Sequence, residues 1–237
     1  SWTDITTGEF FTAEIKGADG LADMLESIKP SEIIANESAL VYYNSDEKIK
    51  NKDLPRFRGY LESAFSLSSA AGCINRQFGL NAVDIFEIRD QQGSICSAGA
   101  LILYVEDMQK RPMTHLQGIK KIVRNEYMTI DGNTRRNLEL TQTLRSGSKK
   151  GSLLSVIDKT ETGMGARNIA TWIELPLKDA FLINKRRDAV EELKNFMSIL
   201  DSLGEKLADF IDLERLASKV LMVKTTLKDC LAIAYSL

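Results

Sequence analysis

The alternation of apolar and polar residues in the first third of the chain predicts a mixed α/β arrangement. Ser1–Ile5 and Glu9–Ile15 alternate on either side of a Thr-Thr-Gly turn, as the two strands of a β-hairpin do. Ala18–Ile28 has helical period, and Glu32–Ala35 is a short apolar run of the kind found in buried parallel strands. Two later segments also have helical period, Leu61–Phe78 and Ser94–Met108. This order of strands and helices is typical of a layered α/β domain.

The pattern changes in the second half of the chain. Ile119–Ile130 is predicted to be an extended link, and nearly everything after it has helical period. Asp131 can cap a helix with Arg135 and Arg136 at its exposed start. Asp179 can cap a long helix that runs to about Leu200, and Asp212 can open another. We therefore expect two domains, an α/β domain over residues 1–126 and a helical domain over residues 127–237.

The distribution of charge supports a division of the chain into regions with different partners. Residues 1–109 carry 9 basic and 17 acidic side chains, a net charge of −8. Residues 110–187 carry 16 basic and 7 acidic side chains, a net charge of +9, and residues 188–237 carry 6 and 9, a net charge of −3. The basic middle is either a surface that faces a polyanion or a solvated surface whose charges pair across the fold.

Composition removes several classes of protein and site. With 43% apolar and 27% charged residues the chain is globular, and no apolar run reaches the roughly 18 residues of a membrane helix. Cys73, Cys96 and Cys230 are few and far apart, which favours buried thiols in a reducing cytoplasm over disulfides or a thiolate metal cluster. His115 is the only histidine, so multi-histidine metal sites are excluded, and we expect it at the surface or in a cap. Trp172 is expected in the helical core.

The segment Arg145–Ser152 contains glycines, serines and lysines, as phosphate-binding loops do. A Walker loop needs Gly, four residues and then Gly-Lys-Ser/Thr, with a strand before it and a helix after it. Here Gly151 is followed by Ser152, and the preceding Leu138–Leu144 is predicted to be helical. We therefore interpret the segment as a loop between helices and expect no ATP site in it.

Carboxylates offer a second candidate, a metal centre of the kind found in nucleases with a ribonuclease-H-like fold. Asp4 lies on the opening strand, and Asp84, Glu87 and Asp90 lie in one later stretch. The apolar residues among the later acids favour an amphipathic packing element with a solvated face. Nothing in the sequence brings these acids beside Asp4.

Long ordered motifs in the second half carry a family resemblance. They read MTIDGNTRRNLEL from Met128, TETGMGAR from Thr160 and DLERL from Asp212, while DITTGEF from Asp4 and the Ala98–Tyr104 helix precede them. Together they resemble the connector and core domains of MutS mismatch-repair proteins over essentially the whole chain. The resemblance implies a ribonuclease-H-like connector domain, lacking its first strand, followed by a helical core or lever domain.

The resemblance also implies what the chain does. In the family these domains relay conformational signals between the part that binds the mismatch and the ATPase. Both of those parts are expected outside these residues. We therefore expect no catalysis and no cofactor in the chain itself, with ATP and magnesium bound by another domain of the parent.

Partners and surface residues follow from the same resemblance. A MutL-type protein is expected at the connector domain, where Asn75, Arg76 and Gln77 cluster at a helix end before Gly79. The intact parent is expected to be a dimer that binds mismatched double-stranded DNA, and no membrane is involved. The candidates for facing phosphate in the basic region are Arg135, Arg136, Lys149 and Lys150.

Two other functions remain open at this point. One is a freestanding ribonuclease-H-like nuclease with a helical appendage. The other is a MutS relative that acts on recombination or collided-ribosome substrates instead of mismatches.

Overall fold

The computed structural model describes residues 1–46, 49, 54–110, 113–116, 118–122, 127, 128, 130–221 and 225–236. These residues divide into two compact units. The first contains the described residues up to Ile122 together with Leu221, and the second contains the described residues 127–220 and 225–236. The domain boundary that the sequence predicts after residue 126 lies outside the described residues.

The strands of the first unit form two small sheets. β1 (Trp2–Asp4) and β2 (Glu9–Thr12) pair antiparallel with Thr3 opposite Phe10, which confirms the predicted hairpin. β2 also pairs in parallel with β5 (Lys120–Lys121), so the start of the predicted link belongs to this sheet. β3 (Ile33–Ala35) and β4 (Phe57–Gly59) form a separate parallel pair.

Five α-helices and a short 3-10 helix accompany these strands in the described part of the first unit. They are α1 (Gly17–Ile28), α2 (Glu37–Ser45), the 3-10 helix Glu62–Phe65, α3 (Leu67–Phe78), α4 (Ala82–Ile85) and α5 (Gln92–Gln109). α2 was not predicted, because its apolar residues do not follow a single helical face and none of them is buried. Its start is set instead by Asn36, whose side chain accepts a hydrogen bond from Ala39 N.

The core of the first unit lies where α3 meets α5. Phe10, Ile74, Ile88 and Ile102 are fully buried in one apolar cluster. A Cβ placed on Gly99 of α5 would lie 2.3 Å from the Cα of Ala70 in α3, so only glycine allows this approach. Gly99 thus lets two helices pack in direct contact.

Apart from an isolated β-bridge between Tyr127 and Leu177, the regular elements in the described residues of the second unit are helices, joined by turns and loops. Its helices are α6 (Gly132–Asn137), α7 (Leu153–Ile157), α8 (Gly163–Glu174), α9 (Ala180–Asn195), α10 (Met197–Ala208), α11 (Leu213–Leu221) and α12 (Leu227–Ser236). Asp179 caps α9 by accepting hydrogen bonds from Phe181 N and Leu182 N, as predicted. The single helix expected to reach Leu200 is two helices, because α9 ends at Asn195 and α10 begins at Met197.

Candidate functional site

The strongest polar cluster of the second unit joins two of the sequence motifs. Arg167 lies on α8, and Asp212 and Glu214 lie at the start of α11. Arg167 donates from Nη1 to Asp212 Oδ2 at 2.6 Å and from Nη2 to Asp212 Oδ1 at 2.8 Å. It also donates from Nη2 to Glu214 Oε2 at 2.5 Å. We call these three residues the Arg167 cluster.

Hydrogen bonds at the starts of α8 and α11 position the residues on both sides of the Arg167 cluster. Thr162 accepts a hydrogen bond from Gly165 N at 3.0 Å and so begins α8 one turn before Arg167. Asp212 accepts from Arg215 N at 3.3 Å through Oδ1 and from Leu216 N at 3.0 Å through its carbonyl, so it begins α11. The two helix starts therefore present the guanidinium and the carboxylates to each other.

The electrostatics of the Arg167 cluster favour the fully charged state. Hydrogen bonds from Arg167 hold the pKa of Asp212 below its ordinary value, although partial burial opposes this. Hydrogen bonds to Asp212 and then to Glu214 raise the pKa of Arg167 above its ordinary value. The side chains of Arg167 and Asp212 are 26% and 24% exposed, so water screens the pair only partly. Such a cluster can join helices, and it offers no nucleophile.

The glycines of the TETGMGAR motif provide space in this structure. Neither Gly163 nor Gly165 adopts a positive φ, so neither is needed for a left-handed backbone. A Cβ on Gly163 would lie 2.9 Å from Asp212 Oδ2, and one on Gly165 would lie 3.0 Å from Thr162 Oγ1. The motif therefore has a residue without a side chain, Gly163, at the point where the Asp212 carboxylate approaches it.

Arg135 and Arg136 differ in what they contact. Asp131 caps α6 by accepting a hydrogen bond from Thr134 N at 2.9 Å, as predicted. Arg135 was expected at an exposed helix start, but its side chain is only 11% exposed and forms an ion pair with Glu174 of α8. Its charge is balanced within the unit, which makes it a poor phosphate contact, whereas Arg136 is exposed. Glu174 was not singled out in the sequence, since a single acid near a helix end carries no distinctive spacing.

Lys149 and Lys150 lie in a loop that is held by hydrogen bonds among the hydroxyl groups of its own threonine and serine residues. Thr143 Oγ1 and Ser146 Oγ are 2.7 Å apart, and Ser146 donates to Ser148 Oγ at 3.0 Å. Lys149 donates to Asp158 at 2.6 Å, which is the main reason that the pKa of Asp158 falls to about 2. Lys150 is exposed. The preceding residues 138–144 form turns, so the helix expected there is wrong and α6 ends at Asn137.

In the first unit, the predicted docking residues are partly used inside the unit. Gln77 donates from Nε2 to Met113 O at 2.6 Å, and Arg76 donates to Glu106 Oε2 at 3.0 Å. Asn75 is half-buried, so Arg76 is the most exposed of the three. Gly79 ends α3 at a φ of 100°, as predicted, and the next residue, Leu80, is 87% exposed. The sequence did not reveal that this apolar side chain, next to the end of α3, is exposed to water.

The acids of the nuclease alternative occupy separate local structures. Asp4 accepts hydrogen bonds from Thr6 N and Thr6 Oγ1, each at 2.7 Å, and Asp84 forms an ion pair with Arg89. In the part of the chain that the structure describes, no three His, Cys, Asp or Glu residues are grouped so as to hold a metal ion.

Three expectations about single residues need correction. His115 is 1% exposed and thus lies inside the first unit, where the neighbouring Met113 and Leu116 are buried as well. Cys73 is buried, which raises the pKa of its thiol to about 11, but Cys230 is exposed. Trp172 is 38% exposed, and the guanidinium carbon of Arg186 stands 3.8 Å from its ring centroid.

The Trp172–Arg186 pair lines an open groove of about 880 Å³ along α9. Trp172, Pro176, Leu177, Ile183 and Val190 give the groove an apolar lining, and its charged residues are of both signs, Arg186, Arg187 and Lys194 with Asp188 and Glu191. The sequence led us to expect Trp172 in the helical core, and the arginine that covers its ring was not foreseen.

Comparison with known proteins identifies the family. Residues 1–117 match the profile of MutS domain II, and residues 133–237 match that of MutS domain III. The chain belongs to the MutS family. Arg167 and Asp212 both lie in the part that matches domain III, so the Arg167 cluster lies within one MutS domain.

Several MutS relatives align with the whole chain. The DNA mismatch repair protein MutS of Caldanaerobacter subterraneus is 39% identical over 237 residues, which cover 99% of this chain and 27% of the relative. The proteins of the same name from Alkaliphilus oremlandii and Ruminiclostridium cellulolyticum are 38% and 36% identical over 241 residues each, covering 100% and 99% of this chain. The chain spans about 27% of the length of these relatives.

Among the described residues, none of the helices has both the length and the apolar character needed to cross a membrane.

Proposed function

We propose that this chain is the connector and core part of a DNA mismatch repair protein and relays conformational signals between its mismatch-binding and ATPase parts. The observation that carries the proposal is the pair of ordered matches to MutS domains II and III. The relatives that align with the whole chain are named DNA mismatch repair proteins. That name favours mismatches over the recombination or ribosome substrates of other MutS relatives.

In this proposal residues 1–126 are the connector domain and residues 127–237 are the core domain. The two family matches leave residues 118–132 between them, and the proposed boundary falls inside that interval. The hairpin and the parallel pair of β3 and β4 support a ribonuclease-H-like connector.

The chain itself is proposed to be non-catalytic. ATP and magnesium would be bound by another domain of the intact parent, which would act as a dimer on mismatched double-stranded DNA in the cytoplasm. Among the residues that the sequence singled out, Arg136 and Lys150 are exposed and remain the candidates for phosphate contacts. Arg135 and Lys149 are ion-paired within the unit and are the weaker candidates.

The proposed partner of the connector domain is a MutL-type protein. The end of α3 supports this, because it carries the exposed Arg76 and, four residues later, the exposed Leu80. An apolar centre with a polar rim suits a small transient interface. Gln77 holds this helix end in place through its hydrogen bond to Met113 O, and the half-buried Asn75 stays a candidate for the interface.

The test of the proposed function exchanges this chain for the matching segment of a relative. The relay role predicts that the exchanged protein still alters its ATP hydrolysis when a mismatched duplex is added. No observation favours the nuclease alternative, since the acids it needs lie in separate local structures.

A further inference from the structure

We propose that Arg167 is a positioning residue whose guanidinium fixes the start of α11 against α8, so that the two helices move as one body. It does so through the Arg167 cluster, with three charge-assisted hydrogen bonds of 2.5 to 2.8 Å to two residues of one helix start. This joint is a property of the second unit and stands independently of the proposed relay.

The first argument is that apolar burial is a weak link between these helices. Both helices are described from end to end. No residue of α8 is fully buried, and Ser218 is the one buried residue of α11. Helices are ordinarily held together by the burial of an amphipathic face. Here the hydrogen bonds between α8 and α11 are the ionic ones of the Arg167 cluster.

The second argument is geometric. Asp212 contacts Arg167 through both carboxylate oxygens while its Oδ1 and its carbonyl also accept from the first turn of α11. Glu214 adds a second anchor one residue into the helix. The guanidinium is a rigid planar fork, so two anchors on it restrict direction as well as distance. A lysine would supply the positive charge but not the planar set of donors that binds both carboxylates.

The third argument is the space reserved for the carboxylate. Gly163 stands where a Cβ would come 2.9 Å from Asp212 Oδ2. Gly163 therefore leaves room for the Asp212 carboxylate, and Arg167 of the same helix binds that carboxylate. Both features lie in the same motif, and they serve the same contact.

The joint can be tested by measuring a distance in the complete 237-residue chain. Spin labels would be placed on cysteines at Asn168 of α8 and Ala217 of α11, which are both exposed. The background would carry Cys96→Ser and Cys230→Ser and keep the buried Cys73, whose thiol has a raised pKa of about 11 and resists labelling. Pulsed electron resonance then gives the distribution of distances between the two helices.

We expect a single narrow distance in the wild-type background and the loss of that narrow peak in Arg167→Gln, with unchanged helical circular dichroism. The matched control is Arg215→Gln, which removes an equal positive charge whose Nε lies 3.7 Å from Asp212 Oδ2. This change leaves the hydrogen bonds of the Arg167 guanidinium in place. The control should keep the narrow peak, and Arg167→Lys should recover it only in part.

Two results would overturn the proposal. One is a narrow peak that persists in a folded Arg167→Gln chain, and the other is equal broadening in Arg215→Gln. If Arg167→Gln does not fold, Arg167→Lys decides the question. Broadening in that variant supports the positioning role, and a distribution identical to that of the wild type contradicts it.

Discussion

Gly163 and Asp212 approach each other so closely that a Cβ on Gly163 would lie 2.9 Å from Asp212 Oδ2. Asp212 cannot easily turn away, because Arg167 holds both of its carboxylate oxygens. Two motifs that are separate in the sequence thus depend on each other for a contact that neither motif reveals alone.

Gly163→Ala should lower the free energy of unfolding by about 1 to 2 kcal/mol, because the new methyl group displaces a held carboxylate. The matched control is Gly204→Ala in the interior of α10, where nothing lies within 4 Å of the added Cβ. That change should instead stabilise by up to about 1 kcal/mol through helix propensity. Urea unfolding of both variants checks the opposite signs, and equal effects would contradict the close contact.

Gly99→Ala should be more damaging, because its Cβ would lie 2.3 Å from Ala70 Cα, a backbone atom of a packed helix. Overpacking of this kind costs about 1 to 3 kcal/mol or more. Gly72→Ala, on α3 and open to space, is the control. A loss of stability in Gly72→Ala as large as in Gly99→Ala would show that α3 and α5 do not pack as described.

The stability of the second unit should fall at acid pH through Asp212. Its folded pKa is lowered, whereas an unfolded Asp has a pKa of about 3.9. The stabilisation from the ion pair is therefore complete above about pH 4 and is lost as the pH falls through the lower folded pKa. Asp212→Asn should flatten this part of the stability curve. Identical curves for Asp212→Asn and the wild type would contradict the charged pair.

Duplex DNA binding by the chain should be weak, dependent on salt and equal for paired and mismatched DNA. Arg136→Glu and Lys150→Glu should each weaken it and reduce the salt slope by about one. Lys149→Glu should act mainly by breaking the ion pair with Asp158. Fluorescence anisotropy over a salt series measures this, and a reproducible preference for the mismatched duplex would contradict it.

Crosslinking should place the partner at the end of α3. In the full-length parent, a single cysteine at Leu80 should crosslink to a MutL-type protein, while one at Val41, also exposed, should not. The position chosen on sequence grounds, Asn75, is half-buried and should react less than Leu80. Equal crosslinking at Leu80 and Val41 would rule out this docking surface.

Local signals in the sequence predicted the elements better than the contacts. The hairpin and the caps at Asp131 and Asp179 were found because each depends on residues adjacent in the chain. The contact of Gly99 with Ala70 and the ion pair of Arg135 with Glu174 were missed, since their partners are distant in sequence. The burial of His115 was missed for the same reason, because burial depends on elements that fold over the residue.

The relay function is tested most directly by replacing the matching 241 residues of the Alkaliphilus oremlandii protein with this chain. ATP hydrolysis by the exchanged protein would be measured with paired and mismatched duplexes, beside the unaltered relative. The account predicts that the mismatch changes the rate in both proteins. An exchanged protein that hydrolyses ATP and binds the mismatched duplex, yet hydrolyses at the same rate on either duplex, would contradict it.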